Sequence, residues 1–179
     1  MESYPNFPNL ANFMSQVILS RTGVLAYMDD EARQQLSAYG HTVSTAPGEV
    51  LIREGLANIH LYIVLSGVFN ITTELRGKEV YLDTVGPGDC LGEVAIFDPD
   101  QASATVTSLE AGRLWAIDAD SLQKFLTDWP NYGCAAILGI DVILTRRLRH
   151  ATAVIRSHQI VPGFLSVRAQ KRAQTGKLR

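Results

Sequence analysis

The sequence contains little cysteine or histidine, which limits the chemistry it can support. Its two cysteines, Cys90 and Cys134, lie far apart and form no CxxC pair, so neither a disulfide framework nor a zinc site is indicated. The four histidines are scattered and match no metal-ligand spacing. No Ser/His/Asp arrangement or paired acidic dyad is recognisable either. The sequence therefore predicts a non-enzymatic protein, with no catalytic residues and no metal site.

Long apolar runs are also missing. No segment approaches the roughly 20 apolar residues that a membrane span requires. Residues 1–8 are polar and contain two prolines, unlike a secretory signal peptide. We therefore expect a cytoplasmic protein without a membrane span. Apolar residues make up 46% and charged residues 19% of the 179 positions, a balance typical of a folded globular domain.

Charge is distributed unevenly, because no acidic residue follows Asp141. Residues 1–141 carry 7 basic and 18 acidic side chains, a net charge of −11, whereas residues 142–179 carry 9 basic and no acidic side chains, a net charge of +9. A basic arm on an acidic body can bind nucleic acid, an acidic partner, an anionic membrane or its own body. A solvated helix face followed by a frayed tail is the simpler interpretation.

Apolar periodicity predicts helices at the start of the chain and strands after them. A helical stripe that ends at Gly23 consists of Leu10, Phe13, Met14, Val17 and Ile18. Asp29 or Asp30 can cap a second helix that Gly40 terminates. Short β-prone runs separated by turns predict strands at about 50–52, 60–65, 69–73, 80–82, 104–109 and 113–117. This pattern of short strands and turns predicts a rolled antiparallel sandwich or barrel.

Two helices are predicted to follow the strands. Asp120-Ser121-Leu122-Gln123 matches a capping box, and Trp129-Pro130 marks the break before the last helix, at about 131–157. Its continuous apolar stripe consists of Ile137, Ile140, Leu144, Leu148, Ala151 and Ile155. The helix is too long to lie wholly on one small barrel, so we expect a homodimer through 131–157. The alternative is that the stripe packs only on its own barrel.

Residues 85–106 contain the clearest candidate for a binding site. Gly92 precedes a short apolar helix, and a glycine there lets backbone N–H groups approach an anion closely. Glu93 cannot bind that anion, but its carboxylate suits a neighbouring hydroxyl donor such as a ribose. Donors for a phosphate beside an acceptor for a sugar predict a nucleotide pocket.

Three motifs resemble the cyclic-nucleotide-binding domain family, which includes the bacterial catabolite activator, protein kinase A regulatory subunits and cyclic-nucleotide-gated channels. They are PGEVLIREG at 47–55, LYIVLSG at 61–67 and VGPGDCLGEVA at 85–95. The resemblance implies a mostly β fold: an antiparallel β-roll of the jelly-roll type with N-terminal helices and a long C-terminal helix. It divides the chain into an N-terminal helix, the nucleotide-binding roll, a hinge and dimerisation helix and a basic tail, at 1–22, 23–128, 129–158 and 159–179.

The resemblance also implies which residues bind the ligand, cyclic AMP or cyclic GMP, with no further cofactor. Gly92 and Glu93 match the glycine and the ribose-binding glutamate of the family's phosphate-binding cassette. Backbone N–H groups near Val94 and Ala95 match its phosphate donors. On the hinge helix, Arg149 and Thr152 match the region that caps the base.

The end of the cassette departs from the family. Where the family reads Arg-(Ser/Ala)-Ala-Thr-Val, this chain has Ala102-Ser103-Ala104-Thr105-Val106, so Ser103 keeps a hydroxyl while Ala102 replaces the arginine. A charge-assisted hydrogen bond is worth about 1.5–3 kcal/mol, so the affinity should fall by about a hundredfold. Arg53 or Arg113 could replace the lost charge only if one of them turns toward the site.

Three functions are compatible with these residues. The first is a regulatory domain that binds a cyclic nucleotide weakly. The second is an interaction module without a ligand, in which the long helix dimerises and the basic tail binds an acidic partner. The third is a DNA-binding regulator, but only about 20 residues follow Ser157, too few for a helix-turn-helix, so specific DNA binding is not expected.

Overall fold

The computed structural model describes residues 17–98 and 100–158. The first part of the predicted N-terminal helix and the basic tail lie outside the described residues. The chain divides into two compact units, Met1–Ile143 and Leu144–Arg179.

Two antiparallel sheets of four strands each form the first unit within the described ranges, which confirms the mostly β roll. The strand order is β1-β8-β3-β6 in the first sheet and β2-β7-β4-β5 in the second. The strands are β1 His41–Thr45, β2 Val50–Ile52, β3 His60–Ser66, β4 Phe69–Leu75, β5 Lys78–Val85, β6 Cys90–Leu91, β7 Thr105–Ser108 and β8 Gly112–Asp118.

Six of these strands match the sequence-based predictions to within a few residues, whereas β1 and β6 were missed. β1 has the sequence HTVST, with one aliphatic residue, and it forms a strand because His41 to Thr45 pair with Ala116 to Gly112 of β8. β6 has only two residues, too few for any periodicity. Both strands depend on tertiary pairing, which local pattern cannot reveal.

The core between the sheets is a cluster of buried apolar side chains, here called the interior cluster. It consists of Ile52, Val64, Phe69, Val85, Leu91, Val106 and Leu114. Because side chains alternate along a strand, the odd-numbered residues of β3 and β8 lie on the opposite, outer face of the first sheet. Ile63 and Trp115 on this outer face are also buried, at 3% and 1% exposure. Both faces of the first sheet are therefore covered.

The described helices are a 3₁₀ helix Gly23–Leu25, α1 Asp30–Ser37, α2 Glu93–Phe97, α3 Ala119–Asp128 and α4 Pro130–His158. Asp29 caps α1, because its carboxylate accepts the N–H of Ala32 at 2.8 Å. The predicted start of α3 was wrong by two residues: Asp118, not Asp120, is the cap and accepts the N–H of Ser121 at 2.8 Å. Residues 17–22 are not helical, so the prediction that the first helix continues to Gly23 was also wrong.

The apolar stripe of α4 is only partly buried. Of its members, Ile140 is buried in the first unit, whereas Leu148 is 69% exposed. Ile143, which does not belong to the predicted stripe, is also buried. Pairing of this helix with a second chain stays a prediction.

Gly139 on α4 lies directly against the 3₁₀ helix. A Cβ at this position would collide with the backbone oxygen of Val24. The N–H of Val24 in turn donates to the oxygen of Gly88, at 2.9 Å. Backbone contacts therefore connect the first half of α4, the 3₁₀ helix and the turn that precedes β6.

We expect Gly139→Ala to lower the free energy of unfolding by about 2 kcal/mol, since overpacking costs about 1–3 kcal/mol. Helix propensity alone predicts the opposite sign, a gain of about 1 kcal/mol. Gly133→Ala is the matched control, because its Cβ would meet the end of the Leu126 side chain, at 2.7 Å from Cδ2, and would come no closer than 3.2 Å to the Leu126 backbone. Urea titration of both variants decides the sign; a stabilised Gly139→Ala variant contradicts this packing.

The cap at Asp118 should make stability depend on pH. The Ser121 N–H, together with the Ser121 hydroxyl, lowers the pKa of Asp118 below its ordinary value of 3.8. The stabilisation is therefore present above about pH 4 and is lost as the pH falls through the folded-state pKa. Asp118→Ala should cost about 1 kcal/mol at pH 7. Asp118→Asn, which still caps, should cost less and should flatten the pH dependence below pH 4 in thermal unfolding.

Candidate functional site

The cassette begins where β6 ends and α2 starts, at Gly92. Gly92 is the N-cap of α2 and has a left-handed backbone conformation, with φ 78°. A Cβ there would collide with the backbone oxygen of His60 and lie 2.5 Å from Nδ2 of Asn58. The conformation and the close approach to β3 both require glycine.

Asn58 holds the loop before β3 against this turn. Its Nδ2 donates to the oxygen of His60 at 2.7 Å and to the oxygen of Gly92 at 3.4 Å. Sequence reasoning missed this contribution, because nothing marks a loop asparagine as the partner of a glycine 34 positions away. The start of α2 is thus positioned by contacts with the first sheet.

Glu93 is buried in the first turn of α2. Its exposure is only 4%, whereas Val94 and Phe97 on the same helix are 47% and 46% exposed. The first N–H groups of any helix have no acceptor within the helix, and the helix N-terminus carries a partial positive charge. The predicted ribose-binding carboxylate therefore lies inside the protein, beside the predicted phosphate donors at 94–95.

The end of the cassette is fixed by its backbone. The N–H of Ala102 donates to the oxygen of Leu56 at 2.8 Å, and the oxygen of Ala102 accepts the N–H of Gly55 at 2.9 Å. The side chain of Ala102 is partly buried and packs against the interior cluster. Ser103 is exposed and Ala104 is half-buried. The alanine at the predicted position of the family arginine is thus partly buried against the packed interior.

Arg53 and Arg113 are the candidates to replace the family's phosphate arginine, and the structure excludes Arg113. Arg113 lines a groove together with Ile63 and Leu65, on the outer face of the first sheet. Its neighbour Leu114 belongs to the interior cluster, so Arg113 faces away from the interior. Arg53 is exposed and begins the turn that bonds to Ala102, since its oxygen accepts the N–H of Leu56 at 3.2 Å. Only Arg53 is left as a candidate.

Acidic residues lie next in sequence to the end of the cassette and to its backbone partner Gly55. Asp98 and Asp100 are exposed in the loop that leads to Ala102. Glu54, next to Gly55, accepts the hydroxyl of Thr73 at 2.7 Å and the N–H of Glu74 at 2.8 Å. Carboxylates in this region would disfavour an anionic ligand.

Two histidines and a tyrosine form a cluster near the turn at Gly92. The rings of His41 and His60 have centroids 6.2 Å apart, and those of His60 and Tyr62 are 5.8 Å apart. Ala116 of β8 pairs with both His41 and Tyr62, and its small side chain leaves room for these rings. Burial raises the pKa of Tyr62, so its hydroxyl stays a neutral donor at pH 7. These two histidines look unrelated in the sequence, because they meet only across three strands.

The predicted base-capping residues lie on α4, in the second unit. Arg149 is exposed, and the hydroxyl of Thr152 donates to the oxygen of Leu148 at 2.8 Å. Their assignment to the base stays a prediction.

Residues 17–98 and 100–158 also bear on metal binding and membrane insertion. Among these residues no three His, Cys, Asp or Glu side chains are arranged to hold a metal ion. None of the helices described there is long and apolar enough to cross a membrane.

Comparison with known proteins agrees with this geometry. A family model for the cyclic nucleotide-binding domain matches residues 42–128. The solved N-terminal domain of a transcriptional regulator from Streptomyces coelicolor is 31% identical, with a TM-score of 0.62, over 78% of this chain and 95% of that domain. The chain belongs to the cyclic nucleotide-binding domain family.

Other members of the family match over part of their length. A CRP-like cAMP-activated global transcriptional regulator of Mycobacterium tuberculosis is 30% identical over 133 residues, which are 74% of this chain and 58% of that protein. The regulatory domain of Toxoplasma gondii PKA, solved with cAMP, is 28% identical, with a TM-score of 0.56, over 69% of this chain and 47% of that chain. This chain therefore spans a little over half the length of the curated relative, and it shares with both the cyclic nucleotide-binding domain, a regulatory module.

We expect Gly92→Ala to displace the start of α2, because its Cβ would collide with the oxygen of His60 and alanine disfavours this φ. Unfolding free energy should fall by about 1–3 kcal/mol. Gly48→Ala is the control, since Gly48 also has a positive φ, 80°, but a Cβ there meets nothing within 4 Å. A loss no larger than that of the control, in chemical denaturation, contradicts the close approach.

Proposed function

We propose that this protein is a non-catalytic regulatory domain that binds cyclic AMP or cyclic GMP with low affinity. The observation that carries the proposal is the buried carboxylate of Glu93 at a glycine-capped helix start, in the family's cassette. A carboxylate kept out of water in the first turn of α2 serves well as an acceptor for a ribose hydroxyl.

The phosphate is held mainly by the backbone in this proposal. N–H groups near Val94 and Ala95 donate to it, and the exposed hydroxyl of Ser103 adds a further donor. A helix N-terminus contributes about 0.3–2 kcal/mol toward an anion, less than a bidentate guanidinium would. Arg53 is the remaining candidate for a replacement cation, and its exposure limits what it adds.

Cyclic AMP is the first ligand to test. The relatives from M. tuberculosis and T. gondii are named as cAMP-activated and as solved with cAMP, respectively. In our proposal the ligand binds more tightly to one arrangement of α4 than to another. Binding therefore shifts the population between the two arrangements of this helix. Dimerisation through 131–157 would carry that shift to a second chain.

A second candidate function is an interaction module that has lost its ligand. Ala102 favours it, because this side chain packs against the interior cluster while its backbone bonds to Gly55 and Leu56. In that case the roll is a scaffold, and the long helix and basic tail make the contacts.

Calorimetric titration separates the two functions. Ala102→Arg restores the family's cation and should tighten binding of cyclic AMP by about 10–100-fold. Gln101→Arg is the matched control: the position is adjacent and exposed, so the same charge is added outside the pocket. It should change the affinity by less than about threefold, as a solvent-exposed charge does.

Glu93→Gln in the Ala102→Arg background tests the sugar contact separately and should remove most of the gained affinity. Circular dichroism establishes that each variant is folded. Absence of heat with both cyclic nucleotides in the wild type and in folded Ala102→Arg contradicts the sensor and favours the ligand-free module.

A further inference from the structure

Strand β5 forms an edge of the second sheet. Among the strands of residues 17–98 and 100–158, it pairs with β4 alone. Its side chains are exposed at most positions, and Val80, Tyr81 and Leu82 are 37%, 60% and 43% exposed. An exposed edge that carries apolar side chains is a template for pairing with a further strand. The free edge of β5 is therefore a candidate interface.

The backbone of β5 indicates which groups a further strand would meet. Glu79 lies opposite Glu74 of β4, but the N–H of Glu74 donates at 2.8 Å to the carboxylate of Glu54, which follows β2 on the opposite side of β4. Glu74 and Glu79 therefore form a pair without mutual hydrogen bonds, and the N–H and C=O of Glu79 point to the free edge. Because such pairs alternate with bonded pairs, Val80 bonds to β4, whereas the N–H and C=O of Tyr81 again point outward.

The strand that fits this edge is β5 itself, from a second copy of the chain. Two antiparallel copies are related by a two-fold axis, at which one residue lies opposite its own counterpart. With Val80 at the axis, Glu79 of each copy lies opposite Tyr81 of the other, and the outward backbone groups of these two residues bond to each other. The side chains of Glu79 and Tyr81 lie on one face of the strand, so a phenol lies beside each carboxylate.

Charge favours this register over its neighbours. An axis at Glu79 places two glutamates opposite each other, and an axis at Tyr81 places Glu79 opposite Asp83. Like charges directly opposite each other on neighbouring strands are destabilising. The axis at Val80 instead places Leu82 opposite Lys78, whose aliphatic stem covers apolar surface.

We propose that β5 pairs with β5 of a second copy, antiparallel and with Val80 at the two-fold axis, so that the second sheets of two chains join into one continuous sheet. The pairing brings the two Val80 side chains together and satisfies the outward backbone groups of Glu79 and Tyr81. It is short, because the pairing of β5 with β4 shifts register after Tyr81. It uses a different surface from the predicted pairing through 131–157 and does not depend on a bound nucleotide.

Disulfide cross-linking in the full chain tests this register. Val80→Cys, in a Cys134→Ser background that removes the exposed cysteine, should form a covalent dimer under mild oxidation. Residues opposite each other in a pair without hydrogen bonds have Cα atoms about 4.5 Å apart, within reach of a disulfide. Leu82→Cys is the matched control, because Leu82 is similarly exposed but its two copies lie four residues out of register, about 13 Å apart.

Hydrogen exchange supplies a second readout. Raising the protein concentration should slow exchange of the Glu79 and Tyr81 amides by about tenfold, because each gains a hydrogen bond. Val80→Lys places two like charges at the axis and should abolish this protection. Val50→Lys is the matched control: it makes the same substitution at a position of β2 that is 38% exposed, and it should leave the protection unchanged.

Three outcomes overturn the proposal. Equal cross-linking of Val80→Cys and Leu82→Cys, or none in either variant, shows that β5 has no defined pairing with a second copy. Stronger cross-linking of Tyr81→Cys than of Val80→Cys shows that the axis does not lie at Val80. Protection of the Glu79 and Tyr81 amides that does not change with protein concentration assigns the edge to residues of the same chain.

Discussion

The approach of the cassette backbone to β3 at Gly92 is the contact on which the candidate site depends. Only a residue without a Cβ can adopt this left-handed turn beside the oxygen of His60. The side chain of Asn58 donates hydrogen bonds to the oxygens of both His60 and Gly92 at that point. The turn sets where α2 begins, and α2 sets the burial of Glu93 and the direction of its first N–H groups. The position of the predicted sugar acceptor and phosphate donors thus follows from one backbone contact.

Much of this arrangement could be predicted from the sequence, because glycine turns and β-prone runs act locally. The strand at 50–52 and the cassette glycine are examples. What could not be predicted depends on contacts between distant segments. Arg113 lies on the outer face because its strand neighbour Leu114 packs in the core. Asp118 caps α3 because β8 ends there. Alternation and capping identify such residues only once the strand ends are known.

Ala102 bears both on the packing of the roll and on how the proposed ligand would be held. A guanidinium at this position would supply charge to a phosphate, but the alanine packs against the interior cluster, between backbone bonds to Gly55 and Leu56. Nearby carboxylates, Asp98 and Asp100 among them, make the region less favourable to an anion. By resemblance, Glu93 matches the family's sugar acceptor and Ala102 occupies the position of its phosphate cation, and this combination leads to the proposal of weak binding.

The central claim is that the turn at Gly92 and Glu93 contacts a cyclic nucleotide. Titration of the isotope-labelled wild-type protein with cyclic AMP, followed through its amide signals, tests this most directly. The account predicts saturable shifts for the amides of Gly92, Glu93 and Val94, with smaller changes on the outer face of the first sheet. Unchanged signals at these three positions at millimolar nucleotide, or shifts confined to the groove near Arg113, would contradict it.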